Sequence, residues 1–150
     1  MTLNRKINRL YHLLIREKGE FENAASRIND NGMRWTILSL AQQSNQYATE
    51  LSSYMLSART PVTAAPLNPD HFTNLIADEK GILVFCSSNE KKLVTAYKKI
   101  LKESLTYESL EKMLGYQLNG ILSASKQLKL LTSLTAIAKK KPQDTIEFSA

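Results

Sequence analysis

Four stretches of this chain repeat apolar or small residues at steps of three and four. That periodicity is the strongest constraint on what the chain can fold into. The clearest example covers 33–58, where Met33, Ile37, Leu40, Ala41, Ser44, Tyr47, Ala48, Leu51, Tyr54, Met55 and Ala58 fall on one helical face. At 1.5 Å per residue such a helix is roughly 40 Å long. It cannot bury its stripe alone and needs partners of similar length.

Three other segments supply them. The first helix is expected over 4–28, with Ile7, Leu10, Tyr11, Leu14, Phe21, Ala24, Ala25 and Ile28 in phase. Asn29-Asp30-Asn31-Gly32 then breaks it, because Asn and Gly tolerate positive φ and Asp or Asn caps the helix that follows. A connection this short makes an antiparallel hairpin. The third helix is expected over 79–104, with Ile82, Cys86, Leu93, Ala96, Tyr97 and Ile100 in phase. Ser87-Ser88-Asn89-Glu90 also fits a capping box that would start a new helix at Ser88. The unbroken phase favours one continuous helix. The fourth begins near Tyr107, with Ser104 or Thr106 as cap, and carries Leu110, Met113, Leu114, Ile121, Ala124, Leu128, Leu131 and Leu134. Gly115 and Gly120 within it suggest close approach of another backbone. The sequence therefore predicts an all-α four-helix bundle over 1–138 and a loosely docked tail over 139–150.

Between the second and third helices the composition changes. Pro61, Pro66 and Pro69 lie within 60–78, and 69–77 has the pattern of a short helix with proline in its first turn. An extended chain covers up to ~3.4 Å per residue, so this connection is long enough to travel the length of the bundle as a crossover.

Net charge is +6, spread through the sequence rather than clustered with aromatic residues. This reads as a solvated basic surface and not as a specific nucleic-acid site. Lys91, Lys98 and Lys102 share an outer face of the third helix, and Lys139, Lys140 and Lys141 form a basic cluster. Weak binding to nucleic acid or an anionic membrane surface is the remaining alternative. The single Cys86 excludes an intrachain disulfide framework and suits a reducing compartment. No window has the roughly 18 apolar residues of a membrane span. The basic N-terminus continues into an amphipathic helix without a small-residue cleavage site. A cytoplasmic location is expected.

Each stripe has a polar interruption near its middle: Glu17 and Lys18, Gln43 and Ser44, Asn89 and Glu90, and Gln117. Helices of equal length bring these to one height, as a polar layer. Two readings stay open for it: a hydrogen-bonded network that fixes helix register, or a weak site for a single cation. His12 is read as a structural histidine at the stripe edge, and His71 falls in the crossover. No catalytic triad, phosphate loop or zinc spacing is present in the sequence.

Phe21, Ala24, Ala25, Gln46, Glu50, Leu51, Ala96, Tyr97, Leu101, Gln117 and Gly120, spread through 4–132, carry a resemblance. The chain is similar to an uncharacterised bacterial family of ferritin-like four-helix bundles, a domain of unknown function. The resemblance implies two hairpins joined by a crossover and implies no established activity. Gln42, Gln43, Val84, Phe85 and Ser125 stand where relatives carry acids or a histidine. Ferritin-like di-metal sites use a Glu from each of two helices and Glu-x-x-His from each of the other two. No Glu-x-x-His occurs in this sequence. The expectation is therefore a non-catalytic bundle with no cofactor, serving as an accessory or interaction protein related to stress. A degenerate di-iron-type oxidoreductase or metal-storage relative is the alternative. Trp35, Leu38, Leu13 and Leu83 lie off the main stripes, and two readings stay open for them: they widen the core, or they form an exposed apolar patch that would make a homodimer through the first hairpin.

Overall fold

A computed structural model describes residues 2–57, 78–103 and 107–140, the last six of these by their backbone alone. These residues form four helices: α1 (Leu3–Ser26), α2 (Asn31–Ser57), α3 (Glu79–Lys102) and α4 (Glu108–Lys140). Among the described residues there is no strand. None of the helices is long and apolar enough to cross a membrane.

Short polar side chains set the helix starts. Thr2 caps α1, its hydroxyl accepting from the Arg5 amide at 3.3 Å. Asp30 caps α2 by accepting from the Met33 amide at 2.8 Å. Asp78 caps α3 by accepting from the Gly81 amide at 2.9 Å. Each cap satisfies an amide that the helix leaves without an internal partner. Arg34 reaches back across the first turn, and its Nε and Nη2 donate to the Ile28 carbonyl at 3.0 and 2.7 Å. The hairpin is thereby tied at its closed end. α3 has Glu79 in its first turn and Lys99 and Lys102 in its last, which complements the helix dipole.

α3 runs unbroken through Ser87–Glu90, so the rival start at Ser88 does not occur. The reason is burial. Asn89 and Glu90 are 1% exposed and packed in the interior, where a helix start would leave amides unsatisfied. The expected crossover, its short helix and the Ser104 and Thr106 caps lie outside the described residues.

α1 packs on α2 and α3, and α4 packs on α3 and α2. Contacts at both ends of α1 fix its direction relative to α3. The Asn29 amide donates to Glu79 Oε1 at 3.3 Å, and Lys6 pairs with Glu103. α1 and α3 are therefore antiparallel. α2 also runs against α1, so α2 and α3 run the same way.

The core has two halves. One gathers Leu10, Leu14, Leu51, Met55, Leu93, Tyr97 and Leu114, among others. The other gathers Phe21, Ile28, Ile37, Ile82, Leu83, Cys86 and Leu128. Each fully buried large side chain contributes about 1.5–3 kcal/mol. Leu83, left open between a wider core and a surface patch, is 0% exposed and belongs to the core. α3 meets both α1 and α4, so its buried arc is wide enough to take Ile82 and Leu83 side by side. Leu13 and Leu38 are half-buried against the two core halves. Of the expected patch, Trp35 alone is well exposed, at 68%.

Candidate functional site

The interior polar groups divide into two networks. The first joins α2, α3 and α4. The Tyr97 hydroxyl donates to Gln117 Oε1 at 2.5 Å. Gln117 Nε2 donates to Glu50 Oε1 at 3.0 Å and to the Tyr47 carbonyl at 3.4 Å. All the amide's polar atoms are thus engaged, as burial at 0% exposure demands. Gln43 hydrogen-bonds the Tyr47 hydroxyl from within α2. The Tyr47 ring meets Tyr116 edge-on, with centroids 6.4 Å apart. Burial raises the pKa of both Tyr47 and Tyr97, with nearby Glu50 and Glu90 adding to it. Gly120 lies against the Tyr47 hydroxyl, so the close approach it permits is to a side chain and not to a backbone. Gly115 has nothing near the place its Cβ would occupy.

The second network lies on the α1–α3 seam. Asn89 Nδ2 donates to Glu20 Oε2 at 2.6 Å, and Arg16 Nε donates to Glu20 Oε1 at 3.1 Å. Beside them Glu17 and Glu90 are 0% and 1% exposed. Both oxygens of Glu17 and Oε2 of Glu90 have no hydrogen-bond partner. Burial pushes both carboxyls from an ordinary 4.5 up to about 8. For Glu17 the charges of Glu20 and Glu90 add to the rise, and those of Arg16 and Lys92 oppose it. A buried carboxyl without a protein donor is far cheaper to hold neutral than ionised. Cys86 is buried next to this group, and burial pushes its thiol up to about 12, with Glu17, Glu90 and Glu20 contributing. That is the setting of an unreactive thiol.

Of the residues singled out from sequence, Glu17, Ser44, Asn89, Glu90 and Gln117 are buried, the last of them within the first half of the core. Gln43 is half-buried at their edge. Lys18 does not join them. Its side chain is 41% exposed and pairs with Glu22 at 3.8 Å, because adjacent helical residues point about 100° apart. Glu20, Glu50, Tyr47 and Tyr97 belong to the networks and were not among the residues expected. Glu20 carried a usable signal, three residues after Glu17 on the same face. Glu50 follows Tyr47 at the same interval, and the tyrosines were counted only for their rings. Among the described residues no three His, Cys, Asp or Glu side chains are placed to hold a metal ion. What the site can do chemically is hold two protons in a sealed seam and lock helix register through saturated hydrogen bonds. No family model matches the chain, and no curated protein matches it either.

Proposed function

We propose that this chain is a non-catalytic, ferritin-like bundle of bacterial cytoplasmic type that acts as an interaction or stress-related accessory protein, with a second copy of itself as partner. Its interior polar groups are structural, and its working surface is the outer face of α2 and α4. The common direction of α2 and α3 supports the ferritin-like path, which needs a long connection between them. The sequence over 58–77, at up to ~3.4 Å per residue, is long enough to cross the ~40 Å of the bundle.

The observation that carries the reading is the segregation of charge. α1 and α3 hold eight charged residues each, whereas the slightly longer α2 holds two, Arg34 and Glu50. Arg34 is spent on the Ile28 carbonyl and Glu50 on Gln117. α4 carries no charge between Lys112 and Lys126. The charge-free stretch of α4 bears Tyr116, 64% exposed, beside Tyr47 of α2, and Leu130 and Leu134, 60% and 51% exposed, follow beyond Lys126 on the same helix. At net charge +6 two copies repel on average, and a contact across a face with few charges adds least to that repulsion. Two helices side by side give a surface of roughly 40 Å by 20 Å, about 800 Å² per copy, which is the size of a stable interface. This moves the contact expected on the first hairpin round to α2 and α4. Sedimentation at tens of micromolar tests it. The wild type should be a dimer and Y116E/L130E a monomer, with salt leaving the dimer intact. A monomeric wild type, or a dimer indifferent to both substitutions, would refute it.

A degenerate di-iron-type or metal-storage relative is the second reading. The unpartnered oxygens of Glu17 and Glu90 favour it, since such atoms are also what a cation would occupy.

A further inference from the structure

We propose that Glu17 and Glu90 form a proton-held latch on the α1–α3 seam, shut over Cys86 while both carboxyls are neutral and opened when they ionise. Geometry carries the argument. The two carboxyls lie across one helix–helix seam, fully buried, and three of their four oxygens have no donor. An ionised carboxylate in that position must gain water or a cation, and the seam has to part to admit either.

The groups facing the pair come from all four helices. α1 presents Glu20, already engaged by Arg16 and Asn89, and Arg16 itself. α3 presents Lys92, Cys86 and Tyr97. Tyr47 of α2 is within reach of the Glu90 charge, and beyond it lie Glu50 and the uncharged Gln117 of α4. Burial opposes ionisation of both carboxyls; at Glu17 the charges of Glu20 and Glu90 add to it and those of Arg16 and Lys92 oppose it. The seam is fastened at both ends, by Lys6 with Glu103 and by the Asn29 amide with Glu79. Opening is therefore confined to the middle, where Cys86 lies. The rise of both carboxyls to about 8 sets the pH range over which this occurs.

Cys86 is the only cysteine in the chain and reports the opening directly. The probe is N-ethylmaleimide, reacted with the native full-length protein. Its rate is divided into the rate for the urea-unfolded chain at the same pH, which cancels thiol ionisation. Protection of Cys86 should fall at least about tenfold between pH 7 and 9 in the wild type. In E17Q/E90Q it should stay level across that range. The reaction should be nearly independent of low urea, as a local opening requires. Equal pH dependence in both proteins overturns the latch, and so does a urea dependence as steep as that of global unfolding. Should the double variant fail to fold, the ¹³C titration of the wild-type glutamate carboxyls decides. Two midpoints near 8 support the latch, and none above about 5 overturns it.

Discussion

Alanine at each of the three mid-helix glycines separates packing from helix propensity within one protein. Glycine in a helix interior costs up to about 1 kcal/mol relative to alanine. Gly19 and Gly115 have nothing within 4 Å of an added Cβ, so G19A and G115A gain that amount. At Gly120 the added Cβ overlaps the Tyr47 hydroxyl and comes within 3.1 Å of Tyr47 Cζ and 3.2 Å of Gln43 Nε2. Tyr47 cannot yield cheaply. It is 5% exposed, its ring rests on Tyr116, and its carbonyl accepts from Gln117. Overpacking of this kind costs about 1–3 kcal/mol, which the propensity gain only partly offsets. G120A should thus be about 1–2 kcal/mol less stable than the parent, and roughly 2–3 kcal/mol below G115A. Urea unfolding followed by helical circular dichroism measures all three with the same slope. A G120A midpoint equal to or above that of G115A would refute the placement of Tyr47 against α4.

Three further outcomes follow from the networks. The carboxyls of Glu17 and Glu90 are raised in the folded state, so the folded chain binds more protons than the unfolded one above pH 4.5. Their favourable contribution is complete below about 4.5 and is lost as the pH rises through about 8, so the urea midpoint should fall between pH 5 and 9, and less so in E17Q; a midpoint that rises over this range contradicts the assignment. Y97F leaves Gln117 Oε1 without its donor and should cost about 1–3 kcal/mol, whereas Q117L, which strands Glu50 and the Tyr97 hydroxyl together, should cost more; thermal unfolding gives the order. R34A frees the Ile28 carbonyl at the closed end of the hairpin and should cost about 1–2 kcal/mol by urea unfolding, with R34K recovering only part of it because the forked contact is lost.

Burial could be read from the sequence because it follows period. The stripes on 4–28, 33–58 and 79–104 match helices that start within two residues of the expected positions, at caps such as Thr2 and Asp78 that no apolar pattern reveals, while the expected ends at 58 and 104 lie outside the described residues. Leu83 could not be assigned between core and patch because a stripe one residue wide understates the arc of a helix with two neighbours. The polar interior was visible only in outline. Glu17, Ser44, Asn89, Glu90 and Gln117 interrupt their stripes and could be found, whereas Tyr97 sits in phase with leucines and hides its hydroxyl. Glu50 and Glu20 lie at stripe edges, where sequence cannot say whether a long side chain turns inward or out to water. Lys18, about 100° round the helix from Glu17, turns outward to Glu22. Which acids are partnered and which are sealed without a donor is a matter of side-chain geometry between helices distant in sequence.

The central claim is that the acids between the two core halves hold protons and hydrogen bonds, and do not hold metal. Elemental analysis of protein purified without chelator, after growth in medium supplied with iron, manganese and zinc, tests it most directly. Bound metal well below one equivalent per chain is the result predicted here. About two equivalents, lost together in E17Q and E90Q, would contradict it and make those carboxylates the ligands of a di-metal centre.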